Sequence, residues 1–357
     1  MPLSGFARTG AVYSAADRRS VGNALPPLLP PNLAPMLSQL TERFPAAAVG
    51  LLACRFLTGG LVALPISGTA RGNEPIIDRT ADSPLPSGVG FADEYRGDID
   101  IAADSRVIFA DNFESDDFTK WDEHHRNRSI VSLVPDPAGD SRMGDRSMRV
   151  TATLGENTGG GATKWFEPSD PVFIRYYVKF APDCDYTHHM VRIRGNKGLR
   201  GADKWSGFGQ AGTRPDGVNR FVTGVEPWAS NGRYDPPGRW GFYTYWPEMK
   251  ASGDGKYWGN HFMSADEPVI ERDRWICVET MIKHNTPGER DGEQAFWIDG
   301  ELRGHWTGFL WRTAPGLMAN SVTVESYVTD RWTKNRVNTV YFDNVVVAKE
   351  YIGPTAE

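Results

Sequence analysis

Arg274 to Glu301 reads RWICVETMIKHNTPGERDGEQAFWIDGE, and its first half alternates. Trp275, Cys277, Glu279 and Met281 fall on one side of an extended chain, and Ile276, Val278, Thr280 and Ile282 on the other, the period of two that separates the faces of a sheet. Asn285-Thr286-Pro287-Gly288 and Asp291-Gly292 supply turn chemistry, since proline fixes φ and glycine accepts positive φ. A second strand, Gln294 to Ile298, closes on Asp299-Gly300, another tight-turn pair. Two antiparallel strands folded on a turn set an all-β class.

Similar runs recur on both sides. Strands are expected at 106–110, 147–154, 172–180, 189–194, 220–226, 240–246, 275–284, 294–298, 321–328 and 340–348, with Gly, Pro and Asp between them. No helical stripe is sustained for more than about two turns, against 3.6 residues per turn. Many strands at this spacing predict an antiparallel β-sandwich or jelly roll. Phe109-Ala110-Asp111-Asn112-Phe113-Glu114 and Tyr341-Phe342-Asp343-Asn344-Val345 read as paired end strands that bring the termini together.

The chain has 357 residues, and all 12 tryptophans lie between Trp121 and Trp332. The globular part is therefore expected at 105–354, behind a leader-like segment at 1–70 and a polar linker at 71–104. The 46–66 run is apolar apart from Arg55 and is too interrupted for a comfortable transmembrane helix. It reads as a secretory segment starting at Met36, with cleavage near Gly68-Thr69-Ala70. Leu51-Leu52-Ala53-Cys54 also resembles a lipobox, which would make Cys54 a lipid anchor. The expectation is an exported protein, extracellular or periplasmic, with an outer-membrane lipoprotein as the anchored form.

The net charge of −6 gives no support to general nucleic-acid binding. Between Ala181 and Asn260, however, Lys and Arg outnumber Asp and Glu by eleven to eight, which suits an anionic ligand on one face. The cysteines Cys54, Cys184 and Cys277 are too few for a disulfide scaffold or a metal cluster. Cys277 is expected as a buried apolar residue, and a Cys184–Cys277 bridge stays open. Asp111, Asn112 and Asp343 could hold a structural Ca²⁺ through oxygen ligands, with turn capping as the competing role. No HExxH, CxxC or P-loop spacing occurs, so no cofactor is called for and the site residues include no metal ligand.

The domain resembles the concanavalin A-like jelly rolls of the polysaccharide lyases that cut alginate and glucuronan, and their bacterial relatives. The resemblance is carried by Gly195-Asn196-Lys197-Gly198-Leu199, Pro215-Asp216-Gly217-Val218-Asn219 and Tyr243-Thr244-Tyr245. It continues through Trp275-Ile276-Cys277-Val278-Glu279, Lys283 to Gly288, Asp291-Gly292, Trp297-Ile298-Asp299-Gly300, Tyr341 to Asn344 and Tyr351-Ile352-Gly353-Pro354. It covers about residues 107 to 354. It implies an enzyme that cleaves an anionic polysaccharide by β-elimination at uronic acids; a monomer is expected.

Such a reaction needs a group to neutralise the substrate carboxylate, a base for the C5 proton and an acid for the leaving oxygen. Tyr243 and Tyr245, two apart on one strand, project from one face about 7 Å apart by strand rise. The resemblance makes that Tyr-x-Tyr strand the wall of the groove and the source of acid and base, with His189 assisting. Arg192 and Arg194 share a face and can grip carboxylates in bidentate fashion, and Lys197 matches a basic residue of the Lys-Gly loop. His188 and His189 are expected on opposite faces. Trp246, Tyr257 and His261 are candidate sugar contacts within an aromatic cluster that includes Trp228, Tyr234, Trp240 and Trp258. There is one departure: Gly224 and Glu226 stand where alginate-type relatives carry an arginine. Glu226 would repel an anionic substrate unless paired with Arg192 or Arg194. It also opens a glycosidase alternative with Glu279 and Glu325, and a non-catalytic glycan binder is a further one.

Overall fold

The computed structural model describes residues 76–136, 139 and 144–356. The secretory run, the cleavage site and the lipobox at Cys54 lie outside the described residues. The regular structure of what is described is almost wholly antiparallel strand, in two packed layers. One layer is a nine-stranded sheet whose centre is Val172–Phe180, flanked by Ile276–Lys283 on one side and Val337–Ala348 on the other. The other is a five-stranded sheet ordered Glu123–His124, Gly159–Trp165, Met318–Tyr327, Val191–Asn196 and Arg220–Thr223. A three-stranded sheet of Val225–Trp228, Arg239–Thr244 and Asn260–Phe262 continues that second layer, joined to it by backbone pairing between Val222 and Tyr245.

The opening segment does what its alternation dictates. Ile276, Val278 and Ile282 enter the core between the sheets, while Cys277 and Met281 face the opposite side, under other cover. Asp299 and Gly300 both take positive φ, 52° and 79°, so that Ile298 and Glu301 pair directly across a two-residue turn. The strand at Gly159–Trp165 was not foreseen, because three glycines open it. Gly161 is required there: a Cβ would fall 2.0 Å from the Val324 carbonyl oxygen.

The expected linker is not a linker from residue 76 onward. Ile77–Asp78 pairs with Glu301–Phe309 at the sheet edge, and four short 3₁₀ turns follow up to Ala103. Phe91, Ala92 and Ile101 pack over Phe173, Met281, Trp297 and Val346 on the outer face of the large sheet. Asp98 reaches the fully buried Arg175 with two bonds of 2.7 Å. Residues 76–104 are therefore part of the folded domain, which the sequence placed at 105–354, since the outer face of the large sheet is apolar and must be covered.

Cys184 and Cys277 are both free and buried, which closes the bridge left open by the sequence. Glu279, also buried, accepts the backbone N–H groups of Ile352 and Gly353 at 2.8 Å each, pinning the C-terminal segment. Its role is structural, and it lies on the large sheet, across the molecule's core from the cavity described next. Lys283 pairs with Glu293.

Candidate active site

Strand parity builds the site. In Val191–Asn196, Val191 and Ile193 point into the core, so Arg192 and Arg194 point outward. In Arg239–Thr244, Trp240 and Phe242 are fully buried, so Tyr243 and the following Tyr245 share the outer face, with hydroxyls 3.2 Å apart. Met318–Tyr327 sends Val322 and Val324 inward and Thr323, Glu325 and Tyr327 outward. These outward faces floor a cavity of about 610 Å³, and loops carrying Phe208, Gln210, Trp258, Arg331 and Trp332 wall it.

His188 and His189 both line this cavity, contrary to the expected alternation. The reason is local: His189 has φ of +61°, a left-handed kink that breaks strand parity before Val191. The kink places His189 Nδ1 2.8 Å from Glu226 Oε2 and stacks its ring on Tyr327, centroids 5.0 Å apart. Tyr243 lies 6.0 Å from His189 and 4.9 Å from His261, and His261 rests 3.5 Å from Trp228.

Glu226 is buried, and its partner is His189, not either arginine anticipated from the sequence. Burial raises its pKa, opposed chiefly by Arg192. Burial, reinforced by Arg192, holds His189 well below the ordinary histidine value. His188 and His261 are each pulled down to about 4, also by burial. These imidazoles are thus neutral near pH 7, and such rings can accept a proton. The buried Nε2 of His188, Nδ1 of His261 and Nε of Arg194 have no hydrogen-bond partner among the described residues, an arrangement expected where a ligand supplies the partner.

Arg194 is held by Thr323 Oγ1 at 2.5 Å, by Glu325 at 3.5 Å and over the ring of Phe208 at 4.2 Å. Burial lowers its pKa to about 10, still charged at neutrality. Arg192 is tethered more loosely, 4.0 Å from Glu325. Burial raises the phenol pKa of Tyr243, with Tyr245 adding to it, so Tyr243 carries its proton at neutral pH.

Of the sequence candidates, Tyr243, Tyr245, His189, Arg192, Arg194, Glu226 and His261 meet around one cavity. Three do not. Lys197 is half exposed and pairs with Asp203 at 3.5 Å, because the strand ends at Asn196 and the chain leaves the sheet face there. Trp246 is core, packed on Phe262 and Phe309. Tyr257 packs partly against the core beneath Arg214, and its neighbour Trp258 takes the cavity side instead. Tyr327 and Phe208 were missed. Tyr327 could have been found from its parity with Thr323 and Glu325, whereas Phe208 sits in a loop with no such signal. Asp111, a candidate calcium ligand, accepts hydrogen bonds from Lys120, Trp121 and the Phe113 N–H, the capping role.

No protein-family model matches the chain, and no curated protein matches it in sequence. Solved structures do. A PL-14 alginate lyase from Aplysia kurodai is similar over 68% of this chain and 98% of its own, with a TM-score of 0.51 at 13% identity. An alginate lyase from Chlorella virus has a TM-score of 0.46 at 15% identity, over 62% of this chain and 89% of its own. An endo-β-1,4-glucuronan lyase from Trichoderma reesei has 0.43 at 14%, over 68% and 95%. At the level of fold, this chain is an antiparallel β-jelly roll like the Aplysia alginate lyase.

Proposed function

We propose that this protein is a polysaccharide lyase that cleaves a uronic-acid-containing chain by β-elimination in the cavity of the smaller sheet layer. The observation that carries the reading is the His189–Glu226 pair, 2.8 Å apart, facing Tyr243 in a cavity that also holds Arg192 and Arg194. Donation of Nδ1–H to Glu226 fixes the tautomer of His189 and leaves Nε2 with a free lone pair. Nε2 takes the C5 proton of the uronate. The electrons of the C5–H bond form the C4=C5 double bond, and the C4–O4 bond breaks. Tyr243, kept protonated by burial, gives its proton to the departing O4, and Tyr245 at 3.2 Å can relay a replacement. Arg192 meets the carboxylate, whose charge delocalises as the C5 proton leaves, and Arg194 holds the local field positive.

This differs from tyrosine acting as both acid and base. A tyrosine base needs a cation to lower its pKa, and burial acts on Tyr243 in the other direction. Hydrolysis by a carboxylate pair is disfavoured because Glu226 is engaged by His189, while Glu325 faces the two arginines.

The test is incubation of the purified chain with glucuronan, alginate and a neutral glucan, following the ultraviolet absorbance of the unsaturated uronate. Absorbance should rise with one of the uronans only. His189→Asn, chosen because asparagine tolerates positive φ, should lower the rate by about 100-fold or more. Full activity of that variant would overturn the assignment of the base.

A further inference from the structure

We infer that the surface around Trp205, just outside the cavity, is a second sugar-binding platform that holds a pyranose ring of the same polysaccharide away from the bond being cleaved. This inference rests on the reading of the cavity as a polysaccharide site. Trp205 is 41% exposed, unusually open for so large an apolar side chain. It lies edge-on to Trp165 at 4.8 Å and to Phe208 at 5.1 Å, and Trp165 is 5.7 Å from Phe208. None of the three belongs to a core cluster of the domain. Trp165 is buried beneath this aromatic patch and Phe208 is half-buried, so Trp205 is the ring that the fold leaves open to solvent.

Phe208 makes the patch continuous with the cavity, because it lines that cavity and carries Arg194 over its ring. A chain leaving the site past Phe208 meets Trp205 next. Lys204 adds a polar handle: its Nζ lies 4.5 Å from the Trp165 ring and 4.9 Å from the Trp205 ring, and Glu123 is 3.7 Å away. An indole face with adjacent donors and acceptors fits a pyranose, which offers a C–H face and a rim of hydroxyls.

The platform is also pre-formed, which limits the ordering cost on binding. Ser206 Oγ accepts the Lys197 N–H and donates to the Asn219 carbonyl, both at 2.8 Å. The Gly207 N–H reaches Asn196 Oδ1 at 3.0 Å, and Trp165 Nε1 donates to the Lys204 carbonyl at 2.9 Å. The turn bearing Trp205 is therefore tied to the sheet at both ends.

The experiment compares wild type, Trp205→Ala, Trp205→Phe and Lys204→Gln on glucuronan and alginate, as polymers and as the shortest oligomers cleaved. It pairs the lyase assay with retardation in gels containing each polymer. Trp205→Ala should lower the polymer-to-oligomer ratio of kcat/KM and weaken retardation, each by about tenfold. Trp205→Phe should restore most of both, and Lys204→Gln should shift them in the same direction by less. An unchanged ratio and unchanged retardation would overturn the platform, as would an equal loss on polymer and oligomer. If no uronan is cleaved, the lyase reading fails on its own, and retardation still decides: weakening in Trp205→Ala supports the platform. Wild type that no uronan retards overturns it. Lys204→Gln keeps the test valid if Trp205→Ala does not fold.

Discussion

His189 is the residue on which the proposed chemistry turns, and its backbone explains why. A φ of +61° is uncommon for a residue with a Cβ, and here it swings the ring from strand parity onto Glu226. The Tyr243 and Tyr245 pair was legible in the sequence, because a spacing of two on a strand leaves no alternative face. The kink at His189 was not, since nothing in Thr187-His188-His189-Met190 announces positive φ. Lys197 failed for the related reason that parity ends where the strand ends. The environment of His189 fixes a pH dependence. Its pKa is depressed by burial and Arg192, and the base works when neutral. Activity should therefore hold as pH falls through about 6.5, the ordinary histidine value, and decline only below it. The kcat/KM profile checks this, and an acid limb at or above that value would contradict the assignment.

At the scale of elements, the segment from Ile77 to Ala103 carries a lesson about what patterning hides. Its 3₁₀ turns have no sustained period, so it reads as a polar linker, yet single anchors fix it: Phe91, Ala92, Ile101 and Asp98. Arg175, in the middle of Val172–Phe180, is the matching signal on the sheet side, a charge flanked by Ile174 and Tyr176 that needs a partner. Because the pair is buried, removing Asp98 leaves an uncompensated guanidinium with, among the described residues, the Asn344 carbonyl as its remaining hydrogen-bond acceptor. Asp98→Ala should destabilise the domain by about 3 kcal/mol or more, read from the shift in denaturant midpoint. A change below about 0.5 kcal/mol, the size of an ordinary surface substitution, would show the segment to be dispensable.

At the scale of the molecule, alternation was enough for the class and for most strands of both sheets, because hydrophobic period and turn chemistry agree over most of Val172 to Ala348. The nine-residue strand Glu301–Phe309, however, was not read from the sequence. The glycine-rich strand at Gly159–Trp165 escaped for lack of side chains to show a period. The cavity walls escaped because Phe208, Trp258 and Trp332 arrive from loops, whose placement depends on the finished sheet. The resulting architecture puts structural coverage on the outer face of the large sheet and the candidate site on the outer face of the smaller one. Glu279 belongs to the first and Glu226 to the second, a division the motifs alone do not reveal.

The central claim is that the cavity breaks its substrate by elimination, and the ratio of two products tests it most directly. Unsaturated uronate, read by ultraviolet absorbance, and new reducing ends should be measured together on the uronan that the chain degrades. The account predicts one unsaturated end for each new reducing end, with both lost together in His189→Asn. Reducing ends that accumulate without absorbance would contradict it and assign hydrolysis to the site instead.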